Sequence, residues 1–224
     1  MIQAHVVNTH NKQLYTRAFD EFLRRRLEHC AAGSRRVPLS DDGLELDPFD
    51  APQATYLLGM KDDRVIASAR LMPTVTPNLV SERFACWCQA IDAPCHPEWA
   101  DLTRTCVLPG YHGLGRAGLL SRMLCAVMEY CLDEGITHTG GVVQQTVLKR
   151  WLDMGWKVIP AGLPRLRAGD WCMVAYAEVS EKSLTSARDH AGIDHPLVRR
   201  NGAQRPFITP AHIPARNPTR EAVS

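Results

Sequence analysis

Five carboxylates fall within ten residues, at Asp41, Asp42, Glu45, Asp47 and Asp50, and this run most restricts how the chain can fold. Like charges a few Å apart repel and raise each other's pKa. A turn built from Glu45 to Asp50 therefore holds only if solvent, a metal or guanidinium groups neutralise it. The rest of the sequence has to supply those partners.

A chain of 224 residues with 45% hydrophobic content buries one sizeable core. Periodic patterning occupies residues 1–190. From Ala191 onward Pro, Arg, Asn and Gly dominate without a period, which predicts a C-terminal tail over 191–224, either poorly ordered or an extended arm packed on the body or a partner. The formal net charge of +2 and the lack of a basic stripe interleaved with aromatics exclude a nucleic-acid groove. No stretch approaches the ~18 apolar residues of a membrane span, and no basic segment leads into an apolar run at the N-terminus. The expectation is a cytoplasmic protein without a membrane partner. The eight cysteines fall largely inside apolar patterns and read as reduced thiols. Cys86-Trp87-Cys88 with Cys95-His96 is a poor match to the paired spacing of zinc sites, so no metal is expected.

Ile2 to Val7 reads as a strand. From Asn11 to Cys30 the apolar residues recur at three- and four-residue spacing, the mark of an amphipathic helix. Arg26 lies on its apolar stripe, four residues after Phe22 and seven after Phe19. A guanidinium buried there without an acidic partner costs several kcal/mol, so Arg26 either meets the acidic turn or snorkels from the edge of the stripe. Thr55 to Met60 and Arg64 to Met72 form a hairpin about Lys61-Asp62-Asp63. Alternation sends Val65, Ala67, Ala69 and Leu71 to one face and Ile66, Ser68, Arg70 and Met72 to the other. Arg70 is thus a mid-strand cation among apolar neighbours.

Pro73 to Pro97 reads as a long irregular loop, and Trp99 to Leu108 as a central strand. Asp101 and Arg104 are an odd number apart and point to opposite faces unless a bulge intervenes. The glycine-rich stretch Pro109 to Gly118 leads into a helix carrying Leu119, Met123, Leu124, Val127 and Met128. Such a turn brings amides to an anion at a helix N-terminus, yet it does not complete a dinucleotide fingerprint. Ile136 to Val143 is a strand and Gln145 to Met154 a helix stopped by Gly155. Trp156 to Ile159 and Trp171 to Val179 are strands, and Ser180 caps a short helix to about His190.

This order of elements predicts an α/β (α+β) fold, a mixed and mostly antiparallel sheet flanked by helices, as in the GCN5-related acyltransferases. Glu45-x-Asp47-x-Phe49-Asp50, Tyr56-Leu57-Leu58-Gly59, Arg70-Leu71-x-Pro73-Thr74, Trp99-x-Asp101-x-x-Arg104-x-x-Val107 and Met154-Gly155-Trp156 resemble the acyl-homoserine-lactone synthase (LuxI-type autoinducer synthase) family. The resemblance implies acyl transfer from acyl-CoA or acyl carrier protein to the amine of S-adenosylmethionine. Lactone closure and release of methylthioadenosine then yield a quorum-sensing signal. Both reactants are substrates, and no cofactor is implied. Carried over residue by residue, Arg26, Asp47, Asp50 and Arg70 bind S-adenosylmethionine, and Asp101 and Arg104 are catalytic. The loop with Gly113 and Gly115 resembles the coenzyme A pyrophosphate loop of GCN5-related acyltransferases, and Met123, Met128, Gly141 and Trp151, with Leu124, Leu148 and Met154, would line the acyl pocket, the Met, Leu and Trp residues reading equally as ordinary core.

S-adenosylmethionine carries a sulfonium, an ammonium and a carboxylate, which explains carboxylates and guanidiniums side by side. A bulge near Thr105 or Cys106 would aim an amide at the thioester oxygen. Three positions depart from the family: Cys30 replaces a phenylalanine, Arg36 a tryptophan and Asp101 a glutamate. Losing a methylene retracts the carboxylate by ~1.5 Å, and about 1 Å of misplacement costs up to ~10²-fold in rate. Proton transfer from an amine of pKa ~8 to a carboxylate of pKa ~4 is also uphill by roughly 5 kcal/mol. Asp101 is therefore expected to position and polarise the amine. Gly141 stands where relatives that prefer 3-oxo chains carry threonine, which points to an unsubstituted, branched or aryl chain. Two other readings remain open: a GCN5-like acyltransferase for a different amine, which would release no methylthioadenosine, and an impaired relative that binds S-adenosylmethionine without turnover.

Overall fold

The computed structural model describes residues 2–30, 47–108, 110–111 and 118–209, with the side chains at 25 and 27–30 outside that description. In chain order the elements are β1 (Gln3–Val7), α1 (Thr16–Cys30), β2 (Thr55–Lys61), β3 (Arg64–Pro73) and β4 (Trp99–Val107). They continue with α2 (Gly118–Asp133), β5 (His138–Gln144), α3 (Gln145–Asp153), β6 (Val158–Pro160), β7 (Arg165–Arg167), β8 (Asp170–Glu178), α4 (Glu181–Ala191) and β9 (Val198–Arg200). The strands form one sheet in the order β6-β8-β5-β4-β3-β2-β1-β9, with β7 also paired to β8. Only β4–β5 and β1–β9 are parallel. The expected mixed, mostly antiparallel sheet is therefore present. No helix among the described residues is long and apolar enough to cross a membrane.

Two layers cover the sheet. On one face α2, α3 and α4 pack on Leu57, Ala67, Ala69, Leu71, Ala100, Leu102 and Val143 to make the main core. On the other, α1 lays Phe19, Phe22 and Leu23 over Tyr56, Leu58 and Met72. The segment between β3 and β4 extends that layer, placing Val80 and Phe84 against Val174 and Tyr176. It contains a short π-helical turn at Val80–Phe84 and a 3-10 turn at Ala85–Trp87, so the long loop is more ordered than its weak periodicity predicts.

Three details depart from the alternation. Val65 packs under α1 while Ile66 joins the main core, because a register shift beside Gly59 and Met60 inserts one residue and swaps their faces. A second shift separates the Ser68–Cys106 and Arg70–Thr103 pairs and bulges β4 at Arg104 and Thr105. Arg104 there adopts φ +52°, a left-handed conformation costing a non-glycine residue about 1–2 kcal/mol. Ser68 Oγ donates to the Arg104 carbonyl at 2.9 Å and helps hold it. Third, β4 and β5 pair only from Trp99–His138 to Asp101–Gly140, so the sheet parts beyond that rung.

After α4, capped by Ser180 at its start and by Gly192 in the left-handed region at its end, the chain takes the form of an arm. β9 pairs with β1, and Leu197 and Phe207 are buried in the main core. The Glu129 carboxylate accepts from the amides of Leu197 and Val198, and Glu134 accepts from that of Phe207. Residues 192–209 thus pack on the body; 210–224 lie outside the described residues.

Candidate functional site

Asp47 and Asp50 fold their own turn. Phe49 N donates to Asp47 Oδ1 at 2.8 Å and Asp47 N donates to Asp50 Oδ2 at 2.8 Å, so each carboxylate satisfies an amide two or three residues away. Phe49 is buried beneath the turn, with the Arg70 guanidinium 5.8 Å from its ring centre.

Three arginines converge on these two acids. Arg26, from the buried stripe of α1, makes a two-pronged pair with Asp50 at 3.1 and 2.6 Å. Arg70, from β3, reaches Asp47 at 2.6 and 3.2 Å and Asp50 at 2.8 Å, while its Nε donates to Thr103 Oγ1 at 3.0 Å. Arg104, turned to this face by the bulge, donates to Asp47 Oδ2 from Nε at 3.0 Å and from Nη2 at 2.6 Å. Tyr56 donates its hydroxyl to Asp50. Guanidiniums are what the structure places against Asp47 and Asp50.

Burial by itself would raise both carboxyls. The Arg26 hydrogen bond and the Arg70 charge outweigh it at Asp50, which is held well below the usual carboxylate range. At Asp47 the hydrogen bond and charge of Arg70, then Arg104, likewise win. The network is buried unevenly. The side chains of Arg26, Arg70 and Asp50 are 0%, 1% and 4% exposed, whereas Asp47 and Arg104 are 12% and 19% exposed. Asp47 and Arg104 form its accessible edge.

Asp101 sits on the same face of β4, at the last rung shared with β5. It is fully buried, and its Oδ2 accepts from Leu79 N at 3.1 Å. Burial pushes its carboxyl up to about 7, against smaller opposing pulls from the Leu79 amide, Arg70 and the Val80 amide. The objection that an ordinary carboxylate is too weak a base for an amine therefore largely lapses here: most of the pKa gap is closed by the site itself. Gly141 lies beside it. A Cβ at Gly141 would stand 2.4 Å from Asp101 Oδ1, and the backbone has φ +146°. The absence of a threonine at 141 is thus tied to where the short acid points.

A cavity of about 320 Å³ lies among β5, α3 and β8, lined by Val143, Gln145, Leu148, Pro164, Trp171, Cys172 and Met173. Val143, two residues beyond Gly141 on β5, belongs to the main-core face. A second cavity of about 180 Å³ adjoins Asp50 and Tyr56 from the β1 side and includes Lys12, Phe19 and Ala54.

Of the residues expected from the sequence, Arg26, Asp47, Asp50, Arg70 and Arg104 come together in one network, and Asp101 and Gly141 meet at the parting of the strands. Met123, Met128 and Trp151 are all nearly or fully buried in the main core, and none lines the larger cavity; Leu148 does. Gly113, Gly115 and Arg36 lie outside the described residues, as does the Cys30 side chain. Sequence reasoning missed Tyr56, Thr103 and Tyr176. The one signal toward Tyr176 is the pair Gly140-Gly141 inside a strand, which marks a close approach by a neighbour.

The chain was compared with known proteins. A family model described as autoinducer synthase matches residues 33–185. Isovaleryl-homoserine lactone synthase of Bradyrhizobium diazoefficiens is 28% identical over 214 residues, covering 93% of this chain and 94% of the relative. An acyl-homoserine-lactone synthase of Pectobacterium parmentieri is 32% identical over 52% of this chain and 55% of its own. Among solved structures, the CoA-dependent acyl-homoserine lactone synthase BjaI, with SAM and isopentyl-CoA, superposes with a TM-score of 0.82 at 27% identity, covering 93% of this chain and 97% of that one. The CoA-dependent synthase MesI gives 0.78 at 24% identity, covering 88% and 98%.

Proposed function

The chain belongs to the autoinducer synthase family and is an acyl-homoserine-lactone synthase, and on that premise we propose how its residues divide the work. The observation that carries the assignment is the network of three guanidiniums on two carboxylates, whose accessible edge, Asp47 and Arg104, adjoins the strand that carries Asp101. The carboxylate of S-adenosylmethionine seats on Arg104 at that accessible edge, while Asp47 faces its cationic groups. Arg26, Asp50, Tyr56 and Arg70 act from underneath, fixing the direction of the two that touch ligand.

Asp101 accepts a proton from the substrate ammonium. The freed amine attacks the thioester carbonyl, the new C–N bond forms, and the C–S bond breaks with its electron pair leaving on coenzyme A, whose thiolate takes up the proton that the amide nitrogen loses. The carboxylate then attacks the γ-carbon and closes the lactone, and the sulfonium leaves as methylthioadenosine. The reading of acyl-CoA as donor, in preference to acyl carrier protein, is supported by the CoA dependence of BjaI. The acyl chain enters the parting of β4 and β5 and occupies the cavity lined by Val143, Leu148 and Met173, a space suited to an unsubstituted, branched or aryl chain.

The test is to incubate the purified chain with S-adenosylmethionine and a panel of acyl-CoAs and acyl carrier proteins, following products by mass spectrometry. The expected result is an acyl-homoserine lactone and methylthioadenosine in equal amounts, with acyl-CoA the better donor. Acylated amine without methylthioadenosine would return the protein to general N-acyl transfer.

A further inference from the structure

The strand register places three residues in a row across the sheet. Asp101 of β4 pairs with Gly140 of β5, and Gly140 pairs with Tyr176 of β8. Directly paired residues share a face, so Asp101 and Tyr176 project to the same side with a glycine between them. Their Cα atoms are two strand spacings apart, about 10 Å. Tyr176 and Asp101 thus flank Gly140 on one face of the sheet, with the Asp101 charge felt at the Tyr176 hydroxyl. β8 lies close against Gly140: a Cβ there would meet the Ala175 carbonyl at 2.1 Å and Tyr176 Cα at 2.5 Å.

Both side chains end in a polar atom that the protein leaves unanswered. Asp101 and Tyr176 are each 0% exposed, and neither Asp101 Oδ1 nor Tyr176 Oη has a hydrogen-bond partner among the described residues. A buried polar group in that condition is costly, and two of them on one face of the sheet call for a polar atom to answer both. Asp101 Oδ1 leans toward β5, as its 2.4 Å approach to the Cβ position of Gly141 shows. Trp99 sets the other side, with its ring 5.2 Å from that of Tyr176 and stacked at 4.2 Å on His138.

We propose that Tyr176 is the positioning residue of Asp101, its hydroxyl donating to a single water above Gly140 that in turn donates to Asp101 Oδ1. Water fits because the bridging atom has to accept from a phenol and donate to a carboxylate, which an ammonium cannot do. Oδ2 is already engaged by the Leu79 amide, so Oδ1 is the oxygen that takes the proton. The ammonium N–H bond breaks, its electron pair stays on nitrogen, and the proton passes to Oδ1; Tyr176 keeps its own proton throughout. The charged and titratable groups around the pair are Arg70 from β3, Cys88 from the turn after Trp87, and His138 behind Trp99. Tyr176 is the one among them that delivers a neutral donor from the far side of the glycine.

This inference rests on Asp101 as the proton acceptor, and the experiment separates the two. Tyr176→Phe removes one hydroxyl from an otherwise unchanged ring. In the full chain without substrates, the Asp101 carboxyl is titrated by carbon-13 NMR, with its signal assigned by loss in Asp101→Asn. A donor to the carboxylate favours the charged form, so its removal moves the titration upward by about one pH unit. The acid limb of the kcat/KM profile for lactone formation moves with it. An Asp101 titration identical in parent and Tyr176→Phe overturns the proposal, since a merely structural tyrosine would leave it in place. A titration that moves beside a rate profile that does not upholds the coupling and overturns instead the role given to Asp101.

Discussion

Asp50 and Asp101 are the same residue type, on the same face of one sheet and both almost fully buried, yet their environments drive them in opposite directions. Around Asp50 the fold gathers Arg26, Arg70 and a tyrosine hydroxyl, and ionisation is favoured despite burial. Around Asp101 it supplies amides and apolar side chains but, among the described residues, no ion pair, and burial prevails. Burial alone therefore does not tell which acid stays charged and which is held near neutral. The number of guanidiniums within reach does. One face of the sheet thus carries a permanently charged cluster next to an acid that exchanges a proton near neutrality, and the proposed function uses the first as the ligand's seat and the second as its base.

The comparison breaks most visibly at Arg70, which touches both Asp47 and Asp50. Arg70→Met leaves two buried carboxylates short of their shared partner. Loss of about 3–5 kcal/mol by urea denaturation is expected, with no measurable lactone. Asp101→Asn comes next. It should lower kcat by roughly 10²–10⁴ while leaving the Arg70 network intact.

The same variant also exposes the opposite sign of the two acids. An unfolded aspartate titrates near 3.9, so between about pH 4 and pH 7 folded Asp101 holds a proton that the unfolded chain has lost. Stability from this group is fully present below pH 4, falls as pH rises to 7 and is flat above, by a total on the order of 4 kcal/mol. Asp101→Asn should remove that slope. Asp47 and Asp50, with depressed values, contribute stability above pH ~4 that fades only as the solution becomes more acid. Urea midpoints at pH 2.5, 4, 5.5 and 7 for parent and variant check both signs, and equal slopes between pH 4 and 7 would contradict a raised Asp101.

A smaller effect sharpens the contrast. Gly141→Ala puts a methyl where Asp101 Oδ1 lies, with an expected cost of about 1–3 kcal/mol and a fall in kcat. Repeating it in an Asp101→Ala background removes the collision, so the two costs should not add. Additive costs would mean that backbone strain at 141, and not the acid, explains the glycine.

Much of this site could be read from residue spacing because its parts obey local rules. Arg26 stands on the apolar stripe of an amphipathic helix, Arg70 in mid-strand, and the acids crowd one turn; each is an anomaly that demands a partner. The Asp101–Arg104 spacing demanded a bulge, and β4 has one. Tyr176 escaped because an aromatic in a strand is ordinary, and only the register across Gly140 reveals what its hydroxyl faces. Met123, Met128 and Trp151 misled for the converse reason: helical spacing predicts burial well and cannot tell core from cavity wall. The face swap at Ile66 depended on an inserted residue that alternation does not foresee. β7 and β9, three residues each, are too short to carry a period at all.

The arm after α4 governs how the sheet ends. β1 is a five-residue strand of apolar character, and left bare it would present an open row of amides and carbonyls to any other chain in solution. β9 occupies that row with three residues, two of them arginines, while the opposite border is made by β6, closing on Pro160, and by β7 with Arg165 and Arg167. Both borders are short, and charge or proline blunts each, which discourages copies from zipping together edge to edge. The least patterned stretch of the sequence thereby guards against self-association.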